Sequence, residues 1–325
     1  MTRSISAEIR SVVVGMSMMA LVVLLTPLSL LHDAWSRRRR SGGTREIPRV
    51  RAADASIPEL LAAGRPVVVE GLARHIGARP ADLAELRAVA ARDDEPARVD
   101  FVDATNPYFL YTGDYGRTIA RTEQLSFEEL LDTLFVDGTG DEVVYRLFGA
   151  GGVNGAMGEI IDDVSACVTA AGGGPTLRNN SGVWIGSSGV VTPLHHDSWP
   201  GILFQTEGRK AVSMFEPADR GKLYFNFPIP VGSRWSRLPG RSTEADPALF
   251  PRLTGARRYT TVLEPGDALY IPTFWAHEMV ALTANVSIPL RLRSPRSTYL
   301  DPGFLRPAAE VLDGKLQALR NRRAA

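Results

Sequence analysis

The stretch "GVWIGSSGVVTPLHHD", Gly182 to Asp197, decides how the second half of the chain is read. Two short runs of β-branched and aromatic residues flank a Ser/Gly turn, and the second run ends on two histidines and an aspartate. With five histidines in 325 residues, a pair beside an acid concentrates ligand-type side chains. Side chains alternate along an extended chain, so His195 and Asp197 face one side and His196 the other. Two donors on one face are half of a metal site. Taken alone, His-x-Asp is also what a polar surface turn looks like.

Working outward, "GILFQT", "RKAVSMFEP", "RYTTVL", "DALYIP" and "NVSIPLRLR" repeat the pattern of short strands punctuated by glycine and proline. That spacing suits a sandwich or a barrel. A third donor stands in "LEPGDALYIPTFWAHEM", where His277 follows a turn, a strand and a rigid proline among Phe274 and Trp275. In a closed barrel, strands distant in sequence become neighbours, so His277 can meet the other two. Two imidazoles and a carboxylate with open positions suit non-haem iron. Alternation puts Lys210 with Val212 and Met214 on one apolar face. An unpaired ammonium is costly there, so Lys210 is expected to face an anion, the alternative being a side chain that snorkels to the rim.

Upstream, Ser56 and Pro58 open a short helix before a buried strand, Pro66 to Val69; Ser126 and Glu129 form a capping box stopped by Gly138, and Glu142 to Phe148 alternates as a strand. Composition is that of a globular protein, 44% hydrophobic and 22% charged. A net charge of +1 gives no reason to expect nucleic acid. The single cysteine, Cys167, excludes an internal disulfide and reads as an inert thiol on a helix.

The beginning differs. Ser11 to Leu31 carries no charge and is followed by four arginines, Arg37 to Arg40. Its length reads as a single membrane anchor over residues 11–35, and the arginines place the rest of the chain in the cytoplasm. The alternatives are an apolar helix docked on the protein, or translation beginning at Met16 or Met18. The chain then divides into a tail over 1–10, the anchor, a basic linker over 36–55, an α/β region over 56–182, a barrel over 183–293 and a helical tail over 294–325. In that last segment Val311, Leu312, Leu316 and Leu319 form one stripe, which suits intramolecular packing, with a homodimer contact as the alternative.

Three stretches in order, "VWIGSSGVVTPLHHD", "LFQTEGRKAVSMFEP" and "LEPGDALYIPTFWAHEM", resemble the JmjC or cupin-like (cupin 8) branch of the Fe(II)- and 2-oxoglutarate-dependent oxygenases, over roughly residues 46 to 293. The resemblance implies a mainly β fold with flanking helices (α+β), a double-stranded β-helix of the jelly-roll or cupin type. It implies Fe(II) on His195, Asp197 and His277. It implies 2-oxoglutarate paired with Lys210 and contacted by Thr192 and Tyr145. Thr192 is three residues from His195, where simple alternation points it away, and Pro193 supplies a reason to break step. Arg291 is a rival cation to Lys210, as other branches of the superfamily use that strand. The chain departs from the branch at His196, where a tyrosine is usual, and at Gly201 and near Pro289, where asparagines are. The implied reaction uses O2 to hydroxylate a C–H bond, of a protein side chain by analogy, with a small molecule as the alternative substrate. A metal-binding cupin without oxygenase activity is the alternative, although such sites build on His-x-His with a nearby glutamate that "HHDSWPGI" lacks. A tethered scaffold without turnover is a third reading.

Overall fold

The computed structural model describes residues 26–39, 41–92, 96–103, 119–138, 142–149, 155–226, 234–238 and 241–293. Local chemistry sets the first elements. Ser56 accepts from the Glu59 backbone N–H while the Glu59 carboxylate accepts from Ser56 N–H, so the helix Ile57–Ala63 starts there, with a proline in its first turn. It ends at Gly64, whose φ of 60° suits a residue without Cβ. The same box, Ser126 with Glu129, starts the helix Phe127–Asp132.

The strands are β1 (Thr44–Glu46), β2 (Arg49–Arg51), β3 (Val67–Glu70), β4 (Ala97–Asp103), β5 (Ile119–Leu125), β6 (Glu142–Gly149), β7 (Gly182–Gly186), β8 (Val191–His195), β9 (Gly201–Glu207), β10 (Lys210–Phe215), β11 (Arg258–Leu263), β12 (Asp267–Ile271), β13 (Ala276–Ala281) and β14 (Asn285–Arg291). They form a sheet of five, in the order β1-β11-β10-β13-β8, and a sheet of nine, in the order β2-β3-β12-β9-β14-β7-β6-β4-β5. Residues read from the sequence as linker supply β1 and β2, which pair in parallel with β11 and β3.

The two sheets pack face to face. Leu203, Leu269 and Ile271 of the larger sheet meet Val212, Met214, Leu263 and Met279 of the smaller in one buried cluster. On its other face the larger sheet is covered by the helix Gly155–Val168, through Ile160, Ile161, Val164 and Val168 against Ile185, Phe204 and Leu290. Each such apolar side chain stabilises the fold by roughly 1.5–3 kcal/mol on burial. A mainly β architecture with flanking helices, consistent with a cupin-like fold, is therefore present. Cys167 lies on that helix, where burial raises its thiol pKa, as suits an unreactive thiol.

The membrane-anchor expectation, and with it the single-pass, cytoplasm-facing localisation, is corrected. Among the described residues no helix is long and apolar enough to cross a membrane. Residues 26–38, which include the end of the apolar run, are helical, and their buried stripe is polar: Ser29, Asp33 and Ser36. Arg220 donates to Asp33 Oδ1 at 3.1 Å, and the Gly221 N–H donates to Ser36 Oγ at 3.0 Å. Leu28, Leu31 and Trp35 stay exposed. Hydropathy alone weighed the leucines and missed a docking face made of the polar residues between them. Residues 11–25 and the C-terminal stripe that carried the dimer alternative lie outside the described residues.

Candidate metal centre

The site lies where β8 and β13 run side by side. Their register places His277 opposite His195. Each imidazole faces the main-chain carbonyl two residues before it, His195 Nδ1 to Pro193 O at 2.9 Å and His277 Nδ1 to Trp275 O at 3.0 Å. A carbonyl can only accept, so Nδ1 carries the proton and Nε2 the lone pair. Burial pulls both imidazole pKa values down. For His195 the neighbouring His277 adds to the effect, and Asp197 opposes it at both. Both rings are neutral at neutral pH, the form in which histidine binds metal.

Asp197 follows in the turn after β8. Its Oδ2 lies 4.0 Å from His195 Nε2 and 3.8 Å from His277 Nε2, and the three donors all fall within 4.8 Å of one another. Burial alone would raise this carboxyl. The guanidinium of Arg291, the imidazoles and Arg234 outweigh it, holding the group well below the usual carboxylate range. Arg234 Nη1 donates to Oδ1 at 3.3 Å. Oδ2, although buried, has no hydrogen-bond partner; its charge is faced by the Arg291 guanidinium. A buried anionic oxygen aimed at two imidazole lone pairs is what a divalent cation would satisfy, and the donor set fits iron.

The turn that carries His277 is tied to Asp197 through the Phe274 N–H, which donates to the Asp197 carbonyl at 2.9 Å. Phe274 holds a φ of 61°, a left-handed conformation that costs a non-glycine residue on the order of 1 kcal/mol. His196 points the other way, as alternation requires, and packs edge-on against Phe225 and Phe274. It is not part of the donor cluster.

Deeper between the sheets, Lys210, Val212 and Met214 share the buried face of β10. Lys210 is 6% exposed and its Nζ donates to Ser287 Oγ at 2.6 Å; Ser287 in turn donates to Gln205 Oε1 at 2.9 Å. Among the described residues no carboxylate pairs with it, and burial lowers its pKa to about 7. A small pocket beside it is walled by Trp184, Val190, Thr192, Met279 and Asn285. Thr192 reaches that pocket because β8 carries an extra residue. Met279 pairs with Thr192 while His277 pairs with His195, two steps on β13 against three on β8. Pro193 stands in that bulge. Tyr145 lies in β6 opposite Gly186 of β7, and its side chain is outside the described residues.

Two groups had no signal in the sequence. Trp235 stacks on His195 with ring centroids 4.2 Å apart, from a segment without periodicity. Arg234, beside it, reaches Asp197. Ser287 and Gln205 could have been found, since β14 and β9 alternate and place them on the face that looks toward Lys210. Trp275 is buried between the sheets against Tyr259, and Trp199, two residues past Asp197, is half-buried.

Comparison with known proteins shows which family the chain resembles. The chain matches the family model described as cupin-like domain over residues 53–290. It is 33% identical over 154 residues to "HSPB1-associated protein 1" of Mus musculus, 46% of this chain and 27% of that protein. It is 31% identical over 144 residues to "tRNA wybutosine-synthesizing protein 5" of Homo sapiens, 42% of this chain and 44% of that one. It is 33% identical over 107 residues to "Jumonji C domain-containing protein 5" of Drosophila melanogaster, 32% of this chain and 25% of that one. The matched stretch thus spans between about a quarter and under half of these relatives' length.

Proposed function

Because the chain belongs to the cupin-like domain family, with JmjC-type relatives, we propose that it is an Fe(II)- and 2-oxoglutarate-dependent oxygenase that hydroxylates a C–H bond, of a protein side chain. The observation that carries the reading is the convergence of His195, Asp197 and His277 beside a buried, uncompensated Lys210. The two facing sheets are taken to form a double-stranded β-helix around that centre.

In this reading the three side chains hold Fe(II), and Lys210 with Thr192 receives the far carboxylate of 2-oxoglutarate; Tyr145 is the proposed third contact. Bound iron supplies the oxidative chemistry in which O2 is consumed, 2-oxoglutarate becomes succinate and CO2, and the substrate C–H becomes C–OH. What the chain does is hold and exclude. The two Nδ1–H···O=C contacts keep each Nε2 aimed inward. Trp235, stacked on His195, excludes water from that imidazole. Ser287 and Gln205 hold the ammonium in place along the strand. The near-zero net charge supports a partner other than a polyanion.

The test is succinate formation from 2-oxoglutarate with Fe(II) over a panel of protein substrates. Turnover in the wild type, lost in His195→Ala and in Lys210→Met, supports the proposal. Metal binding with no 2-oxoglutarate consumed on any substrate favours instead a metal-binding cupin without oxygenase activity.

A further inference from the structure

Arg291 closes the site on the side away from Lys210. Ser287 and Arg291 lie four residues apart on the inward face of β14, so one strand carries the hydrogen-bond partner of one buried cation and, further along, a second cation. Arg291 pairs in register with Gly201 of β9. A Cβ at Gly201 would stand 2.6 Å from Arg291 Nη1, so the missing side chain is what gives the guanidinium its room. Nη2 comes within 2.5 Å of Asp197 Oδ2, but outside hydrogen-bond geometry. The Arg291 side chain is 9% exposed. Its main-chain N–H is held by Ser181 Oγ at 3.0 Å, while the guanidinium, with five N–H donors, has that one ion pair among the described residues. A guanidinium cannot shed its charge, and burying one without acceptors is costly.

The charge count identifies what is missing, and it rests on the oxygenase reading. Ligating imidazoles are neutral. A divalent metal and the Lys210 ammonium are balanced by ionised Asp197 and a dianionic keto acid. A metal held by His195, Asp197 and His277 would compete with Arg291 for Asp197 Oδ2, which lies beside both imidazoles. Arg234 also reaches Asp197 but is 30% exposed to solvent, so Arg291 is then the buried charge left over. We infer that the substrate brought to this centre carries an anionic oxygen group, a carboxylate or a phosphate, which docks on the Arg291 guanidinium packed over Gly201.

The test titrates inorganic phosphate and acetate, by calorimetry, into Mn(II)-loaded protein saturated with 2-oxoglutarate. Wild type, Arg291→Gln and Gly201→Ala are compared; the last alters no charge and crowds the Arg291 side chain together with the Leu290 carbonyl beside it. The expected result is oxyanion binding by the wild type, weakened about tenfold or more in both variants, the worth of a charge-assisted hydrogen bond. Affinity for 2-oxoglutarate is expected to stay the same in Gly201→Ala, which also shows that this variant is folded. Equal oxyanion affinity in the three proteins, or none in the wild type, overturns the inference alone. Loss of 2-oxoglutarate affinity in both variants assigns Arg291 to the cosubstrate and overturns it too. A wild type that binds no 2-oxoglutarate overturns the oxygenase reading, and this inference with it.

Discussion

Replacing Lys210 by methionine is expected to stabilise the ligand-free, metal-free protein while removing its response to 2-oxoglutarate. The ammonium is buried, and Ser287 is its hydrogen-bond partner. Burial lowers its pKa from 10.5 to about 7, so between those values the unfolded chain holds a proton that the folded chain does not. Folding stability therefore rises with pH across that window, and the penalty is fully present below pH 7. At about 1.4 kcal/mol per pH unit the full shift corresponds to roughly 5 kcal/mol as an upper bound. Hydrophobic replacements of buried ionic groups return about 1–4 kcal/mol, and this is the expected gain at pH 6. The assay is thermal unfolding of both proteins at several pH values, where each kcal/mol moves the midpoint by roughly 2–4 °C in a domain of this size. Lys210→Met should melt higher than wild type at pH 6, and the gap should close as the pH approaches 10.5. Adding 2-oxoglutarate with Mn(II) should raise the wild-type midpoint above that with Mn(II) alone, and should do so only in the wild type. A variant that melts lower at pH 6, or a gap that does not change with pH, refutes the claim that this ammonium is buried without a counter-charge.

His277→Ala should abolish tight Mn(II) binding; in the wild type, metal at about 1,000 times its dissociation constant should add about 4 kcal/mol of stability, read by thermal unfolding. Because burial holds both imidazole pKa values below 6.5, Mn(II) affinity should stay flat as pH falls from about 8 to 6.5 and decline only below that, as a pH series of titrations would show. Thr192→Val should weaken 2-oxoglutarate binding by about three- to tenfold, the worth of one hydrogen bond, with Mn(II) affinity unchanged. Gly221→Ala puts a Cβ 2.1 Å from the Asp33 carbonyl oxygen, so it should loosen the 26–38 helix, measured as faster tryptic cleavage at Arg37 to Arg39, with metal binding retained.

Strand alternation was enough to separate His195 from His196 and to place Lys210 on a buried face, because each lies in a regular run where direction follows from parity. His277 was nominated by its setting instead, since an imidazole just past a proline among aromatic residues needs a partner. Thr192 broke the rule, and the bulge at Pro193 is the physical reason. What parity cannot give is which strands become neighbours. The pairing of Gly201 with Arg291 depends on β9 and β14 lying side by side, and the approach of Trp235 to His195 depends on a loop path with no period. The helix at 26–38 was misread for a related reason: its apolar residues dominate the average, while Ser29, Asp33 and Ser36 meet the protein.

The central claim is that one ferrous ion and one keto acid assemble on His195, Asp197 and His277 with Lys210 behind them. The most direct measurement is an anaerobic titration of Fe(II) and 2-oxoglutarate followed by the visible charge-transfer absorption of the keto-acid chelate. The reading requires a band that saturates at one equivalent of iron, disappears in His195→Ala and needs far more 2-oxoglutarate in Lys210→Met. No band in the wild type, or a band of equal intensity and midpoint in all three proteins, would contradict it.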